Sequence, residues 1–579
     1  MHTVIKQRDC PVNEQLASSD LSPLLQRVYA NRGITDAEQL TLALKNLHSP
    51  YTLKDIDHAV NILLTALNKH QRIIIVGDYD ADGATSTALA LRALRQLNAN
   101  VDYIVPSRFE YGYGLTPEIV DVCIQQSAQL IITVDNGISS HAGAQHAKDH
   151  AIKLIITDHH LPATQLPAAD AIINPNQTGD NFPSKSIAGV GVMFYLLIAL
   201  RAKLRELDWF VEQNIEPLDI VQWLDIVALG TIADVVALDQ NNRILVEHGL
   251  RRIRAGKANV GISALLSVAN VDYTRVLASD LAFQVGPRIN AAGRLEDMSI
   301  GIECLLTDHI DTASQLATTL HELNLTRREI EAEMQQQALQ SLAQLDKIDV
   351  TQASEIGLCV YQSGWHEGVV GILASRLKEK YFRPTIAFAG SDGQQLKGSA
   401  RSIPGLHIRD VLATIDSRYP DLINKFGGHA MAAGLSIQEN NYQTFKVAFN
   451  EVLSSCVNTD DLQQQVVSDG ELLSEQLTLE VAREIRHAGP WGQGFATPIF
   501  DGCFKVVDQR VVGHKHLKMS LQVENSSTIL DAILFNYADS GWQSRAALVR
   551  AAYELDVNYF RGVETAQLLI KHIEVIAMH

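Results

Sequence analysis

Cysteine is scarce in this chain and nowhere paired. The six present, Cys10, Cys123, Cys304, Cys359, Cys456 and Cys503, are scattered through 579 residues, which excludes a disulfide framework or a zinc knuckle and suits a reducing cytoplasm. No apolar run is long enough to cross a bilayer. The strongest, Ile187 to Leu200, has 14 residues, short of the roughly 18 to 20 that a span requires, and it reads as a buried helix. The opening stretch MHTVIKQRDCPVNEQ has no continuous apolar segment of the kind a secretory signal carries, so no membrane association is expected. Positive charge is also in deficit. With 48 Lys and Arg against 66 Asp and Glu the net charge is −18, which repels polyanions at long range and obliges any nucleic-acid partner to find a local basic channel. Internal repeats, Walker-type loops, HExxH and GxSxG are missing too, which leaves nucleotide-driven, zinc-protease and serine-hydrolase chemistry unsupported.

What remains is ample apolar material, 46% of residues, in a chain long enough for roughly four domain-sized units. After an amino-terminal segment (1–50) expected to be helical, residues 51–300 alternate short apolar runs with helical ones. Strands are predicted at Ile73–Val76, Val101–Val105, Leu130–Val134 and Ile152–Ile156. Helices are predicted at Ala84–Leu97, Pro117–Gln126 and Ser139–His150. This is the pattern of βαβ units and a mostly parallel sheet, so the fold class is α/β. Between Gly301 and Gly357 there is no Gly or Pro, and Leu316, Leu320, Leu323, Ile330, Met334, Leu342 and Leu345 recur near helical spacing, which predicts a long connecting helix over 301–350. A second α/β unit follows over 351–457, with a strand at Ile356–Tyr361, a helix through Gly371–Lys380 and a strand at Thr385–Phe388. Past a polar linker, residues 462–579 alternate strictly at His516–Val523 and predict a small β-barrel.

The chemistry-bearing residues gather at strand ends. Ile73–Val76 runs into Gly77-Asp78-Tyr79-Asp80-Ala81-Asp82-Gly83, three carboxylates on alternate residues where a strand gives way to a helix. Carboxylates so close repel one another, and a divalent cation such as Mg²⁺ or Mn²⁺ is their most favourable common partner. Two further strands end in Asp135-Asn136-Gly137 and Asp158-His159-His160. In open α/β sheets the carboxyl ends of strands form the ligand crevice, so groups far apart in sequence converge there. The Asp-His-His run offers a ligand and a proton donor. Asp234, after the apolar Ile226–Ile232, reads on its own as a surface-loop aspartate. Two cations bridged by a carboxylate would make this a site for phosphoester hydrolysis.

In order, GDYDADG, TVDNG, TDHH and GTIADVV resemble the four motifs of the DHH phosphoesterase family. PSRFEYGYGL, GVGVMFYL, GPRINAAGR, GWHEGVVGILASRL, GSARS and KFGGHAMAAG resemble its single-stranded-DNA exonuclease branch, over roughly Arg32 to Leu453. The resemblance implies a DHH domain, a DHHA1-like second α/β domain and a carboxy-terminal OB-like barrel. It implies two Mg²⁺ or Mn²⁺ ions held by Asp78, Asp80, Asp82, Asp135, His159 and Asp234, with His160 beside the scissile phosphate and Asp82 and Asp135 central to catalysis. Arg108, Arg288, Ser399 and Arg401 are implied to gather round a terminal 5′ phosphate. Gly427, Gly428 and His429 would line its path or form a tight turn. The implied activity is 5′-to-3′ hydrolysis of single-stranded DNA to mononucleotides in repair and recombination. DNA would thread between the two α/β units, and a single-strand-binding protein and a helicase are implied partners. Two alternatives stand beside it: a phosphodiesterase of oligoribonucleotides or cyclic dinucleotides, and a non-catalytic DNA-binding replication subunit. Trp365 reads as core, Arg327 and Arg328 as a solvated face, and Trp491 with Phe495 as either a base-stacking platform or an interdomain plug.

Overall fold

The computed structural model describes residues 3–578 apart from 9, 107–113, 346–355, 366, 392–393, 429, 459–461, 514, 525 and 538–545. The chain forms two compact bodies. One comprises Asp9–Arg327 and Arg483–Pro498; the other comprises Met1–Arg8, Arg328–Ala482 and Ile499–His579.

The first body is built on five parallel strands in the order Val101–Ile104, Ile73–Val76, Leu130–Val134, Lys153–Thr157, Ala171–Ile173. Its central strands are runs of Ile and Val because both faces are covered. Ile73, Ile75, Leu130 and Ile132 enter one core, while Ile74, Val76, Ile131 and Ile156 enter the other. At about 1.5 to 3 kcal/mol for each fully buried aliphatic side chain, this alternation fixes the strand register and hence where the strand ends lie. The last strand, Ala171–Ile173, has three residues, too few for a periodic signal. The apolar run foreseen as a buried helix is one, Gly189–Glu206, and it packs beside a second buried helix, Leu224–Ala233.

Two expectations need correction. The amino-terminal segment is not wholly helical: Val4–Gln7 is a strand that pairs in parallel with Gln465–Ser468, a partner more than 450 residues away that local pattern cannot show. The helix expected from Ala84 begins at Ala81, because the Asp80 side chain caps it by accepting from the Gly83 amide at 2.9 Å. Asp82 therefore sits in the first helical turn.

In the other body a mixed sheet runs in the order Lys425–Gly428, Ala432–Gln438, Gln395–Arg401, Thr385–Ser391, Leu358–Tyr361. Trp365 is buried beside Val360 and Leu373, as core. A closed barrel follows from strands Phe500–Val512, His516–Val523, Ile529–Leu534, Val563–Met578 and Ala546–Phe560. The helix Ile310–Leu345 connects the α/β units along the chain. Among the described residues no helix is long and apolar enough to cross a membrane.

Candidate active site

At the carboxyl ends of the strands the first body brings together seven of the expected residues. Ligand-capable atoms of Asp78, Asp80 and Asp135 lie within 4.8 Å of one another, as do those of Asp82, His159 and Asp234, and those of Asp135, His159 and His160. His159 Nε2 is 3.1 Å from Asp135 Oδ1 and 3.4 Å from Asp234 Oδ2. Asp234, which its own sequence context left on a surface loop, instead caps the buried helix Leu224–Ala233 and faces this cluster.

Burial sets the electrostatics. Asp82 and Asp135 are each 1% exposed and Asp78 5%. Burial and the nearby Asp80 push Asp78 and Asp82 up to about 7. Asp234 is pushed to about 9 by burial and by Asp82 and Asp80. Asp135 is held well above the ordinary carboxylate range by burial, then by Asp82. Crowded, desolvated carboxylates of this kind are destabilising without a counter-charge. Among the buried polar atoms that lack a hydrogen-bond partner are Asp135 Oδ1 and His159 Nε2. Buried polar groups are ordinarily paired, and a lone pair on nitrogen facing a carboxylate oxygen at 3.1 Å is the donor set of a divalent cation. The residues present fit such an ion.

The two adjacent histidines differ. Burial, then His160, lowers His159 to about 4, leaving a neutral ring suited to ligation. For His160 burial is opposed by Asp158, whose Oδ1 accepts from Nδ1 at 2.7 Å, and the balance raises it to about 9. Asp158 is itself 1% exposed. Its Oδ1 also accepts from the His160 amide and its Oδ2 from the Ile138 amide.

Three supports went unrecognised in the sequence. Asp158 was read only as part of the strand-end run, not as the partner that orients His160. The start of the GVGVMFYL helix holds Asp82, whose carboxylate accepts from the Gly189 and Val190 amides at 2.6 and 3.0 Å. Gly189 must be glycine, since a Cβ there would lie 2.6 Å from the Asp135 Cβ. In GPRINAAGR the Asn290 side chain accepts from the Ala81 amide at 2.8 Å, and a Cβ on Gly293 would lie 1.8 Å from the Tyr79 carbonyl oxygen. The small residues in both motifs were the available signal.

The residues expected at a terminal phosphate fall in both bodies. Arg288, 7% exposed, donates from Nε to His321 Nδ1 at 3.2 Å and from Nη1 to the Gln284 carbonyl, within the first body. Ser399 and Arg401 lie together in the second, with Arg401 Nη1 donating to Ser399 Oγ at 2.9 Å. Gly427 pairs with Gly434, which pairs with Ser399, so the two glycines at 427 and 428 belong to a strand and not to a tight turn. Arg108 and His429 lie outside the described residues. Trp491 and Phe495 stack at 5.1 Å and pack against Tyr29 inside the first body. Phe495 is 3% exposed, so its ring is covered and offers no platform to a base.

Residues 72–231 match the DHH family, N-terminal domain; residues 354–455 the DHHA1 domain; and residues 468–572 the RecJ OB domain. The single-stranded-DNA-specific exonuclease RecJ of Escherichia coli (strain K12) is 52% identical over 557 residues, 96% of each chain. Crystal structures of RecJ from Thermus thermophilus superpose at TM-scores of 0.76 for its Mn²⁺ complex and 0.71 for its Mg²⁺ complex. They share 28% and 27% identity with this chain, covering 99% of it and 79% and 78% of theirs. The strand-end carboxylates, the Asp-His-His run and the three matched domains in this order thus place the chain in one group: it belongs to the RecJ family of DHH proteins.

Proposed function

We propose that the chain is a cation-dependent exonuclease that degrades single-stranded DNA from its 5′ end and releases mononucleotides. The observation that carries this reading is the unpartnered pair Asp135 Oδ1 and His159 Nε2 inside a nest of buried carboxylates. The RecJ relatives, named for single-stranded DNA, supply the substrate class. Two disjoint triads, Asp78–Asp80–Asp135 and Asp82–His159–Asp234, support two ions, with Asp135 facing both groups through His159. Ions held there by these residues would supply Lewis acidity toward a phosphate and lower the pKa of water toward neutrality.

The chain's own residues do the rest. The six ligands fix the ion positions, and the Gly189 and Val190 amides hold Asp82 at the start of a helix, where partial positive charge favours a carboxylate. His160 keeps a proton because Asp158 accepts from Nδ1, which leaves Nε2 to carry a proton toward a departing oxygen. Arg288 in the first body, and Ser399 and Arg401 beside the strand glycines Gly427 and Gly428 in the second, are each candidates to bind phosphate, as the resemblance also implies for Arg108 and His429, arginine giving a permanently charged planar fork. The closed barrel, absent from a minimal small-substrate phosphodiesterase, supports a long substrate, and the complete ligand set speaks against a silent scaffold. A role in repair and recombination, a reducing cytoplasm, and cooperation with a single-strand-binding protein and a helicase complete the reading.

The test is digestion of end-labelled single strands, duplexes and short RNA in Mg²⁺ and Mn²⁺, using the native chain and Asp135→Ala. Single strands should shorten from the 5′ end, with the variant folded and inactive. Activity retained by Asp135→Ala in both ions, or equal digestion from both ends, would overturn it.

A further inference from the structure

Residues 483–498 lie in sequence just before the first barrel strand, Phe500–Val512, yet they belong to the compact body that holds the carboxylate cluster. We propose that this segment is a strap that positions Asp234 and thereby sets the cation affinity of the site. The proposal rests on the assignment of Asp234 as a cation ligand.

The constraint on Asp234 begins at Val235. It directly follows Asp234 at the end of the Leu224–Ala233 helix and has φ 59°. A β-branched residue in the left-handed region is strained, and such a conformation persists only where the flanking chain is held on both sides. Upstream, the helix holds it: the Asp234 amide donates to the Gly230 carbonyl at 3.0 Å and the Val235 amide to the Ile232 carbonyl at 3.2 Å. Downstream there are two holds. Asn242 Nδ2 donates to the Ala237 carbonyl at 2.8 Å. The Leu238 amide donates to the carbonyl of Gln493, in the strap, at 2.7 Å.

The strap's backbone lies hard against the same two residues. A Cβ on Gly492 would lie 2.7 Å from Leu238 Cδ1, and one on Gly494, which has φ +71°, would lie 3.0 Å from the Ala237 Cβ. The strap is in turn pinned to the body. Tyr29 donates its hydroxyl proton to the Ala488 carbonyl at 2.7 Å and Arg32 Nε to the Ala496 carbonyl at 2.7 Å. The Arg243 guanidinium lies 4.2 Å from the Phe495 ring centre, and Arg243 belongs to the Gln240–Arg254 helix that starts where the Asp234 loop ends. Strap, loop and helix are thus one packed unit, and Trp491 and Phe495 are its anchors. Residues that orient metal ligands without touching the ion typically change metal affinity by about 10- to 100-fold when altered.

The experiment measures Mn²⁺ binding to the intact, DNA-free chain by electron paramagnetic resonance of the free ion. It compares the native protein with Asp234→Asn, Gly492→Ala and Phe495→Leu. Gly492→Ala crowds Leu238 at both Cδ1 and Cγ, at 2.7 and 3.3 Å, and so pushes the strap off the loop without removing core volume; it folds even where Phe495→Leu does not. The expected result is Mn²⁺ affinity weakened about tenfold in the strap variants, with turnover returning to near the native value once Mn²⁺ saturates. Native affinity in the strap variants alongside weakened affinity in Asp234→Asn would overturn the strap and leave the ligand assignment standing. Native affinity in all three would overturn the ligand assignment and the strap with it.

Discussion

Replacing Asp158 with Asn tests whether the proton on His160 matters. Asp158 Oδ1 accepts from His160 Nδ1 at 2.7 Å, and the pair is the reason a largely buried imidazole sits near 9 instead of at its ordinary 6.5. A hydrogen bond to a charged group contributes about 1.5 to 3 kcal/mol and one pKa unit is about 1.36 kcal/mol, so removing the carboxylate's charge should lower His160 by roughly one to two units. With a drop of about 1.5 units, the protonated fraction at pH 8.5 falls from roughly three-quarters to roughly one-tenth, while at pH 6.5 it stays above about nine-tenths. Single-turnover release of the 5′ nucleotide in saturating Mg²⁺ should therefore be within about twofold of native at pH 6.5 and roughly eightfold slower at pH 8.5. One cost accompanies the change. With the Asn oxygen kept toward His160, its NH₂ meets the Ile138 amide that Oδ2 now accepts, and a buried donor left without an acceptor costs about 1 to 3 kcal/mol. The melting temperature should fall while the fold survives. A rate lowered by one constant factor from pH 6.5 to 9.5 would refute the reasoning, since Asp158 would then be supporting the loop or the ion and not the proton.

Removal of divalent cations should make stability fall as pH rises. Asp78 and Asp82 near 7 and Asp234 near 9 retain protons in the folded chain that the unfolded chain has released by about pH 4, so the loss should run from about pH 4 up to about 9, and Mn²⁺ should flatten it in thermal melts with and without chelator. Arg401→Ala should remove most of the preference for a 5′-phosphorylated over a 5′-hydroxyl strand, a loss of about tenfold or more for one charge-assisted contact; an unchanged preference in competition digests would take Arg401 out of the phosphate site. A chain ending at Pro498 should keep hydrolysis and lose affinity for long single strands, with a shallower dependence of binding on salt. The cut belongs there because Arg483–Pro498 packs with the catalytic body; equal binding with and without the barrel would make the barrel a protein-docking module.

The parallel sheet was legible because its three central strands carry Ile, Leu and Val runs, IIIV, LII and LII, and such runs are expected where helices cover both faces. The carboxylate nest was legible for a related reason: strand ends follow directly from strand positions, so Asp78, Asp135 and His159 could be placed on one edge before any contact was known. Asp234 could not. It ends a helix, and nothing in the apolar run Leu224–Ala233 says which way that helix points or what lies at its end. The partnership of Val4–Gln7 with Gln465–Ser468 was equally hidden, since strand pairing across the whole chain leaves no local periodicity. The aromatic pair Trp491 and Phe495 left a base-stacking platform and an interdomain plug open because both need the same side chains; the burial of Phe495 under Arg243 removes the platform, and the pair packs on Tyr29 inside one body.

The division of labour between His159 and His160 shows how the fold makes two reagents from one repeated residue. The rings are adjacent, 4.6 Å between centres, and chemically identical in isolation. His159 faces Asp135 and Asp234, carboxylates whose own burial and crowding hold them up the pH scale. Burial, and after it the positive charge on His160, drive His159 down to about 4. His160 instead meets Asp158, which burial opposes but which hydrogen bonds from His160 and from backbone amides keep below the ordinary range and so fully charged. The Asp158 hydrogen bond on one ring, and burial beside that ring's charge on the other, thus pull two neighbouring imidazoles apart. A pair separated in this way supplies a neutral ligand and a charged acid at the same pH. Swapping the two roles would require moving the Asp158 hydrogen bond from His160 to His159, so the pair His159–His160 cannot be read apart from Asp158.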